Sequence, residues 1–178
     1  AGATIMTDAA ALYAQSEIVL KVRGPEASEL AMMRRNVVLL GLLSPHHKEG
    51  IDALAQHGVT AFAMEKLPRI SRAQNMDVLS SQANIAGYKA VIMAANVYQR
   101  FFPMLMTAAG TVKAARVLIL GAGVAGLQAI ATAKRLGAVV EAFDVRPAAK
   151  EQVESLGAKF VEVPLSDEEK AKAETAGG

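Results

Sequence analysis

Three times along the chain a polar helix end is followed by a glycine and then by a short apolar run. The pattern reads Gln56-His57-Gly58 before residues 59–64, Arg135-Leu136-Gly137 before 138–143, and Ser155-Leu156-Gly157 before 158–163. Glycine suits the position just past a helix, where φ turns positive and a Cβ is penalised. Each run is six residues long with few charges, which predicts strands covered on both faces. Helix, glycine and strand in repetition predict parallel sheets with crossover helices.

Further strands are expected at 18–22, 37–43 and 116–120. Ser44-Pro45 offers an N-cap followed by proline at the first helical position, predicting a helix that opens there and runs to about His57. The longest helical stretch runs from Met76 to about Phe101, where Ile85, Tyr88, Ile92, Ala95 and Tyr98 step by three and four as an amphipathic stripe. Pro103 ends it. The expected fold class is therefore α/β, with two parallel-sheet units joined by a long helix. Residues 1–75 read as part of a first α/β domain, 76–108 as the linking helix and loop, and 109–178 as the first part of a Rossmann (dinucleotide-binding) domain. The start at Ala1 without Met, and the stop at Gly177-Gly178 directly after a charged segment, suggest a fragment.

Gly121-Ala122-Gly123-Val124-Ala125-Gly126 completes a G-x-G-x-x-G between a short apolar strand and a helix expected over 124–136, the context that this motif requires. Gly121 permits the tight turn, Gly123 lets the backbone approach a pyrophosphate, and Gly126 lets helix and strand pack closely. The helix N-terminus then faces the phosphates, with Ala122 and Val124 between the glycines. The next strand ends at Asp144, 18 residues beyond Gly126, where an acid accepts the adenine-ribose hydroxyls. Val145 and Arg146 follow it along the same edge. A 2′-phosphate would bring about two negative charges within roughly 4 Å of that carboxylate. Each pair costs on the order of 1–4 kcal/mol, so NAD(H) is expected over NADP by about tenfold or more. Arg146 is the one feature that softens the repulsion.

The 178 residues carry 19 Lys+Arg against 17 Asp+Glu, a net charge of +2, and 52% are hydrophobic. That is the composition of a globular core-former. With 4% aromatics and only two units of net positive charge there is no footprint for nucleic acid. The absence of Cys removes disulfides, thiolate metal sites and a Cys nucleophile. His46 and His47 are adjacent and face different ways on a helix, and His57 lies about three turns on, roughly 16 Å away, so no metal site is expected. The eight Met read as core filling. Asp167-Glu168-Glu169, followed by Lys170 and Lys172, reads as a solvated helix face with a Glu168–Lys172 pair.

The segment from Pro68 to Ser80 is unusually polar for the junction of two apolar elements. Its bland reading is a solvated loop in which Asp77 meets the first turn of the long helix. Its functional reading is a set of donors and an acceptor that hold a carboxamide and a ribose. RISRAQNMDVLSSQANIAGY (residues 69–88), FPMLMTAAGTV (102–112) and the segment 116–163 resemble the NAD(H)-binding component of proton-translocating nicotinamide nucleotide transhydrogenases, in the alanine dehydrogenase/transhydrogenase family. The resemblance runs across most of the chain. It implies that Arg69, Gln74 and Asp77 contact the nicotinamide end of NAD(H), with Ser80 in the first turns of the following helix. It further implies hydride transfer to NADP(H) held on a partner component, and a membrane proton-channel component that couples the transfer to proton movement. A homodimer in the full-length protein, and a soluble domain on the cytoplasmic or matrix face of that membrane, belong to the same expectation.

Alanine dehydrogenases resemble the chain in layout and glycine loop, but use a Lys and a His in the first domain to hold and deprotonate substrate. Here Arg23 stands where that Lys is expected, and Leu42 where the His is expected. Without a base near neutral pKa, amino-acid oxidation is the weaker alternative. A non-catalytic dinucleotide-binding module is the third reading.

Overall fold

A computed structural model of the chain describes residues 2–164. The charged stretch Asp167-Glu168-Glu169, with its expected pairing to Lys172, lies outside the described residues. The chain divides into two compact units, Ala1–Leu79 and Ser80–Gly178.

The first unit alternates helix and strand: α1 (Ala9–Gln15), β1 (Ile18–Arg23), α2 (Ala27–Met32), β2 (Val38–Leu42), α3 (Lys48–His57) and β3 (Thr60–Ala63). Two 3-10 turns follow, at Met64–Lys66 and Ser71–Met76. The three strands are parallel in the order β1-β2-β3, with Val19 beside Leu39 and Leu39 beside Ala61. Tyr13, Leu30 and Leu54 come down from the three helices onto Val19, Val37 and Leu39 to form the core. Tyr13, Lys21 and Glu29 tie α1, β1 and α2 together: the tyrosine hydroxyl donates to Glu29 Oε1 at 2.9 Å, and Lys21 Nζ bonds both partners.

The second unit takes most of α4 (Val78–Tyr98), then a hairpin of β4 (Leu105–Thr107) and β5 (Gly110–Val112). After it come β6 (Arg116–Leu120), α5 (Val124–Arg135), β7 (Val139–Phe143), α6 (Ala149–Ser155) and β8 (Lys159–Phe160). The sheet is parallel in the order β6-β7-β8. Ile130, Ala133, Val140, Ala142 and Val153 are its fully enclosed centre, with Val91 of α4 in the same cluster.

The repeated glycines act as the pattern required: Gly58, Gly137 and Gly157 have φ of 78°, 87° and 76°, and each turns the chain from a helix into the next strand. Other expectations need correction. Among the described residues each three-stranded sheet has one buried face and leaves large apolar side chains of the other exposed. Ile18, Leu20 and Val22 of β1 and Phe62 of β3 are 55–80% exposed in the first unit, and Leu118, Leu120 and Val139 are 51–75% exposed in the second. An apolar run marks a strand but does not say how many of its faces are covered.

The helix expected from Ser44-Pro45 starts later. Ser44 has φ of 51°, and its carbonyl closes a turn by accepting from the His47 N–H at 2.8 Å. The Glu65 carboxylate takes the Leu43 and Ser44 N–H groups at 3.1 and 2.7 Å, holding that turn outside the helix. His47 is the cap instead, its Nδ1 accepting from the Gly50 N–H at 3.3 Å. His57 Nε2 bonds the Met33 carbonyl at 2.7 Å.

The buried face of α4 keeps only part of the expected stripe, with Ile92 and Ala95 half-buried. Gly87 and Val91 are buried with Ala83 and Ala95 partly so, whereas Ile85, Tyr88 and Tyr98 are 45–58% exposed. The reason is backbone approach. A Cβ built on Gly87 would fall 2.9 Å from the carbonyl carbon of Ala125, at the start of α5, and closer still to its oxygen. Gly87, which has no Cβ, lets the two helices meet there where a larger residue could not.

Candidate functional site

Strand register assembles the site. The last paired residues of β6 and β7 are Leu120 and Phe143, so the glycine loop and Asp144 leave the same sheet edge side by side. The Gly121 N–H donates to the Phe143 carbonyl at 2.8 Å, and the Ala122 N–H to Asp144 Oδ2 at 2.6 Å. The acid that sequence spacing put 22 residues after Ala122 is thus bonded to the loop itself.

The three glycines have separate tasks. Gly121 has φ of 94°, a conformation that side chains resist, and it makes the turn. Gly126 carries its Cα against the backbone of Gly121: a Cβ would stand 2.8 Å from that carbonyl carbon and 3.7 Å from Ile119 Cγ2. Gly123 is different. It is exposed, its φ is −75°, and a Cβ there meets nothing within 4 Å. Neither close packing nor backbone conformation demands a glycine at that position, and the space beside it is open. Gly123 is the N-cap of α5, whose first N–H groups have no partner within the helix and point along its positive end.

Asp144 is buried and Arg146 embraces it. Oδ1 accepts from the Arg146 N–H at 2.8 Å and from Nε at 3.0 Å, while Oδ2 accepts from Arg146 Nη2 at 3.1 Å. The Arg146 guanidinium, more than the two backbone donors, holds the carboxyl down to about 2 against the penalty of burial. The pairing in turn raises Arg146. Sequence reasoning placed Arg146 beside the acid but missed that it clamps both oxygens; an arginine two residues after the acid was the available signal. Val145, between them, is exposed, and Val124 is 44% exposed at the head of α5. Beyond the acid, Phe143, Asp144, Val145, Pro147, Phe160 and Val163 line a cavity of about 230 Å³.

The other expected site residues occupy a different setting. Arg69 precedes the 3-10 turn Ser71–Met76, and Gln74 is inside it; both are exposed. Asp77 closes that turn by donating its N–H to the Gln74 carbonyl at 3.2 Å, and the residue is half-buried. Arg69, Gln74 and Asp77 stand in the first unit, and Ser80, on α4, in the second. Among the described residues no group of three or more His, Asp or Glu could hold a metal ion, and no helix is long and apolar enough to cross a membrane.

Comparison with known proteins also divides the chain in two, within α4. Residues 1–86 match the N-terminal domain of alanine dehydrogenase/PNT, and residues 90–177 match its C-terminal domain. The chain is 56% identical to an NAD(P) transhydrogenase alpha-subunit polypeptide of Rhodospirillum rubrum, over all of the chain and 47% of that protein. It is 31% identical to the alanine dehydrogenase of Mycolicibacterium smegmatis, over 82% of the chain and 40% of the relative. Among solved structures, a transhydrogenase from Sinorhizobium meliloti superposes with a TM-score of 0.81 at 61% identity, over 86% of this chain and 46% of that one. An L-alanine dehydrogenase superposes at 0.72 with 28% identity, over 92% and 46%. The chain spans about half the length of the curated relatives it matches. Two domain matches in series, a parallel sheet in each unit and a glycine loop bonded to its acid lead to one assignment: the chain belongs to the alanine dehydrogenase/PNT family.

Proposed function

We propose that this chain binds NAD(H) as part of an NAD(P) transhydrogenase and presents its nicotinamide for direct hydride transfer to NADP held by a partner component. The observation that carries the reading is Gly123. It is a glycine at the head of a 12-residue helix, with open space where its side chain would be and no conformational need for glycine. A pyrophosphate seated on the N-terminus of α5 supplies the missing reason.

The residues fit the cofactor in parts. Gly123 and Val124 offer backbone N–H groups to the phosphates at the head of α5, while Gly121 and Ala122, whose N–H groups are held by the Phe143 carbonyl and by Asp144, and Gly126, packed on Gly121, shape the loop around them. Asp144, with Val145 and Arg146 beside it, takes the adenosine ribose, and Asp144 disfavours a 2′-phosphate. Arg69, Gln74, Asp77 and Ser80 are assigned to the nicotinamide end by the resemblance of their loop to the transhydrogenase segment. Bound NADH supplies the hydride, and the chain's own contribution is to hold the ring in position. No general base is needed for that role, in keeping with Arg23 and Leu42 where alanine dehydrogenases use Lys and His. Coupling to proton movement, a membrane partner, a homodimer and a location on the cytoplasmic or matrix face belong to the family-length assembly in this proposal.

Calorimetric titration of the chain tests the cofactor. NADH should bind more tightly than NADPH by about tenfold or more, and Asp144→Ala should narrow the gap. Equal affinities in the unmodified chain would sink the reading. Hydride transfer is tested on the family-length protein with its NADP-binding partner, NADH and an oxidised NADP analogue. Turnover with alanine and NAD alone would return the assignment to amino-acid oxidation.

A further inference from the structure

Asp144 has no acceptor position to spare. A carboxylate offers about four lone-pair sites, and four donors take them here: the Ala122 and Arg146 N–H groups, and Nε and Nη2 of the Arg146 side chain. The first two are backbone groups fixed by the loop and the turn. The other two belong to a single side chain that is 39% exposed, while the carboxylate it covers is 6% exposed. A vicinal diol that donates to Asp144 has to take the places of Nε and Nη2, because the backbone donors cannot leave without unfolding the loop.

We propose that Arg146 is a displaceable latch and a specificity-determining residue: its guanidinium occupies the diol-accepting side of Asp144 in the free protein and swings out when a ribose exchanges two hydroxyl donors for its two N–H donors. This rests on the reading of the glycine loop and Asp144 as the adenosine-end site. The latch keeps a nearly buried carboxylate satisfied when no nucleotide is present, since an unpaired charge there is costly. It also sets the affinity of the site below what Asp144 alone would give, because every binding event first breaks a bidentate pair. Released, the same guanidinium stands at the 2′ edge, where it moderates the repulsion between Asp144 and a 2′-phosphate.

The latch and an ordinary cofactor contact make opposite demands on one variant. Removing a contact weakens binding; removing a competitor strengthens it. Arg146→Ala should bind NADH about two- to tenfold more tightly than the unmodified chain, reflecting loss of a partly exposed ion pair. NADPH should gain nothing or weaken, so discrimination between the two widens. Arg146→Lys, which offers a point charge instead of a two-pronged fork, should fall between. Circular dichroism on each variant checks that it is folded. Independently, the Arg146 Nε–H resonance should be resolved and protected in the free chain and should shift and lose protection on saturation with NADH. If the unmodified chain binds NADH and Arg146→Ala binds it equally or less well, or if the Nε–H resonance is unmoved by NADH, the latch is overturned while the cofactor reading stands. If neither the unmodified chain nor either variant binds NADH, both fall together.

Discussion

Gly87 of α4 and Ala125 of α5 meet backbone to backbone: a Cβ on Gly87 would lie 2.9 Å from the Ala125 carbonyl carbon and 3.1 Å from its Cα. A carbonyl group cannot yield as the end of a flexible side chain can. Gly87→Ala should therefore destabilise the second unit by about 1–3 kcal/mol, the usual cost of overpacking, and lower its melting temperature by several degrees in scanning calorimetry. An unchanged transition would show that α4 can move off α5 freely.

The loop glycines should separate under mutation. Gly123→Val places its side chain in open space, so the protein should fold with normal helix content, yet NADH binding should be abolished. Gly126→Ala should do the reverse in order of cause, losing stability first because its Cβ meets the Gly121 backbone. Normal NADH affinity in folded Gly123→Val protein would mean that the phosphates sit elsewhere.

Acid should weaken both units. Asp144 is held down to about 2 by Arg146, and Glu29 to about 2 by the hydrogen bond from Lys21, against ordinary values of 3.8 and 4.5. A lowered carboxylate stabilises the fold fully above its unfolded value, and that stabilisation is lost as pH falls through the folded one. Urea midpoints should hold above about pH 4.5 and fall between there and about pH 2. Asp144→Asn should flatten the part of this slope that belongs to the second unit. An Asn variant with the slope of the unmodified chain would show that Asp144 titrates alike in both states.

Gln74→Ala addresses positioning. In the family-length protein it should weaken NADH binding by about one hydrogen bond, ~0.5–1.5 kcal/mol. Single-turnover hydride transfer to the partner's cofactor should slow by more, because misplacing the ring by about 1 Å can cost ~100-fold. Loss of affinity with an unchanged single-turnover rate would show uniform binding only. No change in either would leave Gln74 a solvated residue of its turn.

What was legible in the sequence follows from what each signal depends on. The β6–α5–β7 segment was readable because its strands, glycines and acid are consecutive, and because adjacent parallel strands fix which residues leave the sheet together. The α4 stripe was legible only in part because periodicity favours large side chains: Ile85 and Tyr88 are large yet exposed, while the buried positions are Val91 and Gly87, where backbone approach decides. Ser44-Pro45 has the local chemistry of a helix start, but Ser44 takes a φ of 51° in a turn that Glu65, 21 residues away, holds by the Ser44 N–H, and capping falls to His47. The short helices α1 and α2 carry too few turns for a period to emerge. Arg146 was recognised as a charge near Asp144, yet its two-pronged grip depends on side-chain geometry that no spacing encodes.

The division of labour within the glycine loop bears on how such a protein could diverge. Gly126 answers to the fold and Gly121 to the turn, so a descendant that abandoned its nucleotide would have to keep both while the sheet and α5 remained. Gly123, which under the proposed reading answers to the ligand alone, would be free to drift. A lineage on its way from carrier of a cofactor to inert scaffold would therefore lose the middle glycine first, still carrying most of the sequence signature of a function it no longer performs.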